Sequence, residues 1–242
     1  GFAKPNNDAA KVAKGEYLAL INNDMRVSPE WVNDMLSTLE SCDASYTCVG
    51  SKILNWDGSK LDFCGGSVNY LANGYQYNFG AKVEDIDCGL EDKDLLFACG
   101  GAMIIKRQVF LEIGGFDEDY FAYFEDVDLG WRLWLLGYKV RFCSKSICYH
   151  KHNSTSKKMN RTKVQTMFAR NSLFTLYKNY SEENLYKVLS AALMMKNYKG
   201  TEDALEDEDN LEEGIAQFYG IQHFSSNLDK MSIKREYIQK NR

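Results

Sequence analysis

Hydrophobic and polar positions change period several times along the chain, and each change marks an element. Glu16 to Ile21 is a short apolar run between Gly15 and Asn22-Asn23-Asp24, which predicts a buried strand ending in a polar loop. Ser28-Pro29-Glu30 then supplies helix-start chemistry, with Ser28 as N-cap and Pro29 in the first turn. Trp31, Met35, Leu36 and Leu39 follow at helical spacing. Strand, acidic loop and helix together form the unit of an α/β sheet, in which ligands sit at the carboxyl ends of strands.

From Ser41 to Asp94 the text is rich in Gly, Asn and Asp and reads as an insertion of loops and hairpins, with strand-like pieces at Cys48–Leu54 and Gly66–Tyr70. Leu95 to Ile105 reads as a strand interrupted by Gly100-Gly101, where another backbone or side chain approaches closely. Lys106 to Ile113 predicts a short helix stopped by Gly114-Gly115, and Asp126 to Leu136 a second one closed by Gly137. Tyr138 to Phe142 returns as a strand. After Met159 the period becomes helical throughout, through Val164, Met167, Leu173 and Leu176 and again through Leu185, Val188, Leu189 and Ala192. The expected division is therefore a core at 1–158 and a helical extension at 159–242.

Composition narrows the class. With 242 residues, 45% hydrophobic and only 2 Pro, the chain can bury a core and is not a disordered or collagen-like sequence. No stretch approaches the ~20 apolar residues of a membrane span, and Gly1 to Lys14 carries no apolar run of the signal-peptide kind. A net charge of -5 gathers neither nucleic acid nor anionic lipid, so no nucleic-acid partner is expected. Seven cysteines without a C-x-x-C pair read as reduced thiols, as in a cytoplasmic protein.

Three constellations could carry chemistry. Asn22-Asn23-Asp24, at the end of a buried strand, is either a turn or a site where a carboxylate holds a hard divalent cation. Phe124-Glu125-Asp126, with Asp128 behind it, is either helix-end capping or a carboxylate tuned to accept a proton from a hydroxyl. Tyr149-His150-Lys151-His152 holds two of the three histidines, on a surface loop or facing one site.

The order of these signals is specific. The text GFAKPNNDAAKVAKGEYLALINND, then ACGGAMIIKR, GGFDEDYFAYFEDVDLGWRLWLLGYKV, YHKHNSTS and the Arg170-Asn171 pair, resembles the family 2 nucleotide-sugar glycosyltransferases of the GT-A fold, in their bacterial rhamnosyltransferase-like branch. The resemblance runs from Gly1 to about Lys178. It implies a Rossmann-like mixed sheet flanked by helices, with the opening strands of the domain lying before Gly1, and a helical C-terminal region. It also implies an inverting, metal-dependent, hexosyltransferase-type enzyme that moves a sugar from a nucleoside diphosphate to an acceptor hydroxyl in cell-surface polysaccharide assembly. Residue by residue, Asp24 matches the acid that reaches the metal, Mg2+ or Mn2+, with His150 or His152 completing that site. Asn22 stands where the family motif has its first acid. Asp126 matches the general base, with Glu125 orienting the acceptor or serving as the alternate base. Asn22, Asn23, Gly100 and Gly101 match the donor pocket, and Asn6 and Asn7 the loop beneath the nucleotide. The implied partners are a nucleotide-sugar donor and a glycan or lipid-linked acceptor, with further domains of the same polypeptide or self-association through an exposed sheet edge. The implied location is the cytoplasm, at the inner face of the cell membrane. The alternative is a catalytically inactive binding module of the same fold, or a fragment of a larger multi-domain glycosyltransferase.

Overall fold

The computed structural model describes residues 1–86, 91–151, 160–206 and 208–242. The chain packs as two compact units. The first comprises Gly1–Ser67, Tyr75–Phe121 and Glu125–Asn153; the second comprises Val68–Gly74, Ala122–Phe124 and Ser154–Arg242.

The first unit opens with helix α1 (Ala3–Val12) and strands β1 (Tyr17–Ile21) and β2 (Met25–Val27), followed by α2 (Trp31–Glu40) and β3 (Tyr46–Asn55). Short strands β4 (Leu61–Phe63), β5 (Gly66–Val68) and β6 (Gly74–Gln76) and one helical turn α3 (Val83–Ile86) follow. Then come β7 (Asp94–Leu95), β8 (Ala102–Lys106), α4 (Arg107–Glu112), α5 (Glu125–Leu135) and β9 (Lys139–His150). The main sheet runs β1-β8-β3-β9-β2, with β4 on β3 and β7 on β9. It is mixed: β3 runs parallel to β9 and antiparallel to β8.

Four expectations are corrected here. The segment containing Tyr46–Asn55 is not an insertion, because β3 is the central strand and is buried from Thr47 to Leu54. Covered on both faces, it has no alternation to announce it, and Gly50, Ser51 and Lys52 interrupt its apolar run. The returning strand extends beyond Phe142 to His150, because β2 and β3 both supply partners along its second half. The region 95–105 is two strands rather than one. Helix α2 begins at Trp31 with no side-chain cap, and Ser28 contributes its carbonyl, 3.1 Å from the Trp31 N–H, rather than its hydroxyl.

Trp31 and Met35 on α2, fully buried, pack over this sheet together with Phe142. Helix α5 is fixed by a buried ion pair, in which Arg132 Nε lies 2.8 Å from Asp128 Oδ2. The remaining guanidinium nitrogens donate to the carbonyls of Ile113 and Gly115, and the Tyr120 hydroxyl donates to Asp128. Asp128 is thus a satisfied structural acid. The six described cysteines are free thiols.

The second unit is built from α6 (Arg161–Asn179), α7 (Glu182–Glu206), α8 (Glu208–Ser225) and α9 (Leu228–Lys240). It also takes in two short segments, 68–74 and 122–124. Helices α7 and α8 meet at glycines: a Cβ on Gly214 would stand 2.5 Å from the Gly200 carbonyl oxygen, so only hydrogen permits this approach. The C-terminal carbonyls of α6, which have no partner within their own helix, are met by α9. Arg235 Nη1 donates to Tyr177 and Tyr180, and Gln239 Nε2 to Lys178 and Asn179. No described helix is long and apolar enough to cross a membrane.

Candidate functional site

The site forms where β1 ends. The Asn22 N–H donates to the Gly101 carbonyl at 2.9 Å, and the Met25 N–H closes the turn on the Asn22 carbonyl at 3.0 Å. Gly101 leaves room for the two side chains of this turn, since a Cβ would lie 2.8 Å from Met25 Cε and 2.9 Å from Asn22 Nδ2 and one of them would have to shift. Asn23 is exposed at the tip of the turn.

The chain then enters β2, whose register against β9 pairs Met25 with His150, and the Lys151 N–H donates to the Asp24 carbonyl. This pairing brings His150 Nε2 to 3.5 Å from Asp24 Oδ2. The other ring nitrogen, Nδ1, lies 2.7 Å from Asp62 Oδ2. Asp62 is buried on β4, and its carboxylate accepts the Nδ1–H, a tautomer assigned from the hydrogen-bond network. Burial pulls the His150 pKa down, but the hydrogen bond and charge of Asp62, with the charge of Asp24, more than reverse this and leave it raised. Sequence reading missed Asp62. Its only signal is a carboxylate in an otherwise apolar strand, and nothing local connects it to a histidine 88 positions away.

Gly100 leads to the second cluster. Its N–H donates to Asp126 Oδ2 at 3.0 Å, while Asp126 Oδ1 accepts from the Val127 N–H at 2.8 Å. Adjacent glycines thus touch both sequence-predicted motifs, Gly101 against Asn22 and Gly100 against Asp126. Burial raises the Asp126 pKa against the pull of its backbone donors. Glu125 beside it is 8% exposed, and its Oε2 has no hydrogen-bond partner among the described residues. Desolvation, then the charge of Asp126, pushes its pKa up to about 8. The Cys99 thiol is pushed up first by burial and then by the charge of Asp126, with Asp62 and Glu125 adding to it.

The acids follow directly on a strained segment. Phe121, Tyr123 and Phe124 have φ of 64°, 68° and 69°, the left-handed region that side chains rarely adopt. Within the helical unit, Asn171 Nδ2 donates to the Ala122 and Tyr123 carbonyls at 2.9 and 2.7 Å, and the Tyr123 ring stacks on Phe168 at 4.6 Å.

Other expected residues fall elsewhere. Asn7 is corrected from donor loop to structural tie: it lies buried in a helix, its Nδ2 donates to the Phe116 carbonyl and its Oδ1 accepts from the Phe116 N–H. Asn6, in the same helix, donates to the Phe2 carbonyl. His152 lies outside the described residues.

Among the described residues no three His, Cys, Asp or Glu side chains close on a common ion. The pair Asp24 and His150 nevertheless fits a hard cation that draws its remaining ligands from phosphate oxygens and water, as Mg2+ commonly does. The tethered Nδ1 is the orientation found when the opposite nitrogen ligates a metal.

The glycosyl transferase family group 2 model matches residues 17–179. The chain is 30% identical over 158 residues to the O-antigen biosynthesis protein RfbC of Myxococcus xanthus, covering 63% of this chain and 12% of that protein. It is 44% identical over 59 residues to the N-acetylglucosaminyl-diphospho-decaprenol L-rhamnosyltransferase of Mycobacterium tuberculosis, covering 24% of this chain and 19% of that one. A crystal structure of GalNAc-T7 with UDP, GalNAc and Mn2+ superposes with a TM-score of 0.57 at 14% identity, over 95% of this chain and 44% of that chain, which shows a shared GT-A fold. The chain thus spans between about an eighth and a fifth of the length of these curated relatives. With the model matching two-thirds of its residues across both acidic motifs, the chain belongs to glycosyl transferase family group 2.

Proposed function

We propose that this chain is a catalytic unit that transfers a sugar, with inversion, from a nucleoside-diphosphate donor to an acceptor hydroxyl. The observation that carries the reading is the Gly100-Gly101 pair, which touches the Asn22 turn on one side and the Asp126 carboxylate on the other. Asp24 and His150 would hold the cation on the donor diphosphate, and that cation would supply Lewis-acid stabilisation of the charge developing there. A hard carboxylate oxygen suits Mg2+ or Mn2+, and the borderline imidazole nitrogen beside it is better matched to Mn2+. The Mn2+ and UDP of the GalNAc-T7 structure, and the diphospho-decaprenol named for the mycobacterial relative, support a metal, a nucleotide-sugar donor and a lipid-linked or glycan acceptor.

Asp126 is the base. Two backbone donors hold its carboxylate in one orientation, and Glu125, with a pKa near 8, is mostly protonated at neutral pH and leaves the negative charge of the pair on Asp126. Asp126 takes the proton of the acceptor hydroxyl, whose oxygen attacks the anomeric carbon from the face opposite the diphosphate. The bond from that carbon to the diphosphate oxygen breaks as the new one forms. A single displacement with one base inverts the anomeric centre. The relatives' names support cell-surface glycan assembly as the setting; catalysis in the cytoplasm at the inner membrane face is part of the same proposal.

The test is a thermal-shift screen of the chain with UDP, GDP, dTDP and CDP, each with and without Mn2+, because a ligand of the folded state raises its melting temperature. A metal-dependent rise with one nucleotide, lost in Asp24→Ala and kept in Asp126→Asn, is expected. No rise with any nucleotide would refute donor binding by this chain, and undiminished transfer by Asp126→Asn would refute the base.

A further inference from the structure

The helical unit contains a cavity of about 540 Å3, a size usual for small-molecule sites, that none of the chemistry above uses. Its lining includes Asn69, Tyr70, Phe168, Met195, Lys196 and Lys199. Its two lysines, one helical turn apart on α7, differ in kind. Lys199 is neutralised by Asp203 at 2.5 Å, with Glu202 at 3.9 Å. Lys196 is half-buried and has neither an ion pair nor a hydrogen bond among the described residues. Burial alone acts on its ammonium, lowering its pKa to about 8, and no carboxylate lies near enough to offset this. An ammonium held away from water without a counter-charge is an unfavourable arrangement that an incoming anion relieves.

The rest of the wall indicates what carries the anion. Tyr70 and Phe168 are 66% and 39% exposed, aromatic surfaces of the kind that pack against the C–H face of a sugar ring. The Asn69 Oδ1 is occupied by the Leu71 and Asn73 N–H groups, which leaves its amide N–H donors for a ligand. The turn carrying Asn69 and Tyr70 is itself pinned, with the Tyr180 hydroxyl donating to the Tyr70 carbonyl at 2.8 Å. The wall therefore offers donors, one uncompensated positive charge and flat apolar surface, which complements a ring rich in acceptor oxygens and bearing one negative group.

We propose that this cavity binds a sugar ring carrying an acidic group, a carboxylate or a phosphate, with Lys196 on the acid and Tyr70 and Phe168 against the ring. The inference rests on the transferase reading, for which such a sugar is part of the acceptor. It names an acidic class of acceptor.

Saturation-transfer NMR on the 242-residue chain tests it with methyl β-glucuronide, glucose 1-phosphate, methyl β-glucoside and inorganic phosphate as probes. At least one acidic sugar is expected to bind about tenfold more tightly than the neutral glucoside and than phosphate alone, the worth of one desolvated charge contact. Binding of the glucuronide alone assigns the acid as a carboxylate, and of glucose 1-phosphate alone as a phosphate. Lys196→Met, which keeps the aliphatic stem, is expected to lose that tenfold with an unchanged melting curve, while Lys199→Met changes affinity less than about twofold. Equal binding of neutral and acidic sugars, equal binding of phosphate alone, undiminished affinity in Lys196→Met, or no binding of any probe overturns the proposal. The nucleotide screen is run on the same samples. Acidic-sugar binding without any nucleotide response sinks the transferase reading and leaves the cavity site standing, and the reverse pattern sinks only the cavity site.

Discussion

Replacing Glu125 with Gln tests the electrostatics on which the assignment of the base depends. The folded chain holds this carboxyl at a pKa of about 8 against an ordinary 4.5, with desolvation as the leading cause. Between those values the unfolded chain has released a proton that the native chain retains, so rising pH destabilises the native state. The cost follows from the two pKa values as about 1 kcal/mol at pH 5 and about 3 kcal/mol at pH 7, and vanishes well below pH 4. Gln has nearly the same volume and cannot ionise. Its amide N–H groups enter a pocket where Glu125 Oε2 already lacks a partner, a pH-independent cost of about 1–3 kcal/mol. The diagnostic quantity is therefore the change with pH: Glu125→Gln should gain about 2 kcal/mol on the wild type from pH 5 to pH 7, or roughly 4–8 °C in melting temperature for a chain of this size. Urea unfolding followed by tryptophan fluorescence, with Trp131 and Trp134 on the same helix, measures it across pH 5 to 8. Because burial outranks the charge of Asp126, the pH dependence should persist, reduced, in Asp126→Asn. Parallel stability curves for wild type and Glu125→Gln would show that Glu125 is ionised in the native state at neutral pH, and would remove the reason for placing the charge of the pair on Asp126.

Three further outcomes follow from single contacts. Asp62→Asn should weaken Mn2+ binding in the presence of the responsive nucleotide about 10–100-fold with an unchanged fold, the usual effect of losing the carboxylate behind a ligating histidine; titration by electron paramagnetic resonance reads it, and unaltered Mn2+ affinity would remove Asp62 from the site. Arg132→Met leaves Asp128 buried without its cation and should cost about 3–5 kcal/mol in urea unfolding, whereas exchanging both residues for apolar ones should cost far less. Gly101→Ala forces Met25 or the Asn22 amide to move and should cost about 1–3 kcal/mol, while weakening nucleotide binding more than an alanine at exposed Gly80, where a Cβ meets nothing and the cost is the local one of a side chain at φ 79°.

How much of this was legible in the sequence depends on how far apart the interacting residues lie. The existence of the β1 strand, the turn at Asn22-Asn23-Asp24 and helix α5 was legible, because strand length, turn residues and helical spacing are local. The expectation that this strand is buried is corrected, since β1 lies at the end of the sheet with only Leu20 buried. β3 was not. Its burial on both faces removes the period-two pattern, and its glycine and polar residues resemble loop text. Asp62 was illegible for a different reason. It meets His150 only because β4 adds to β3 and β3 runs parallel to β9, and neither pairing has a short-range signal. Asn7 was misplaced because its amide reads equally well as a loop donor or as a tie between backbone segments, and only the fold brings Phe116 against it.

The division of roles between Glu125 and Asp126 shows what the sequence cannot encode in adjacent letters. Successive residues of a helix point about 100° apart, so two neighbouring carboxylates enter different surroundings. One turns toward Gly100 and accepts its backbone N–H, which orients the carboxylate. The other is buried with no donor for Oε2 among the described residues, which favours its protonated form. The left-handed residues at Phe121, Tyr123 and Phe124 come immediately before this pair, and such conformations cost on the order of 1–3 kcal/mol each unless the surroundings impose them. Asn171 imposes part of this by binding the Ala122 and Tyr123 carbonyls. Asn171→Ala should therefore lower the stability of the helical unit by about 1–3 kcal/mol through two carbonyls left without that donor. If the strained segment serves to orient the acids that follow it, transfer should fall in this variant by more than nucleotide affinity does. An equal loss of both, or a loss of stability with transfer per folded molecule unchanged, would assign the strain to folding alone.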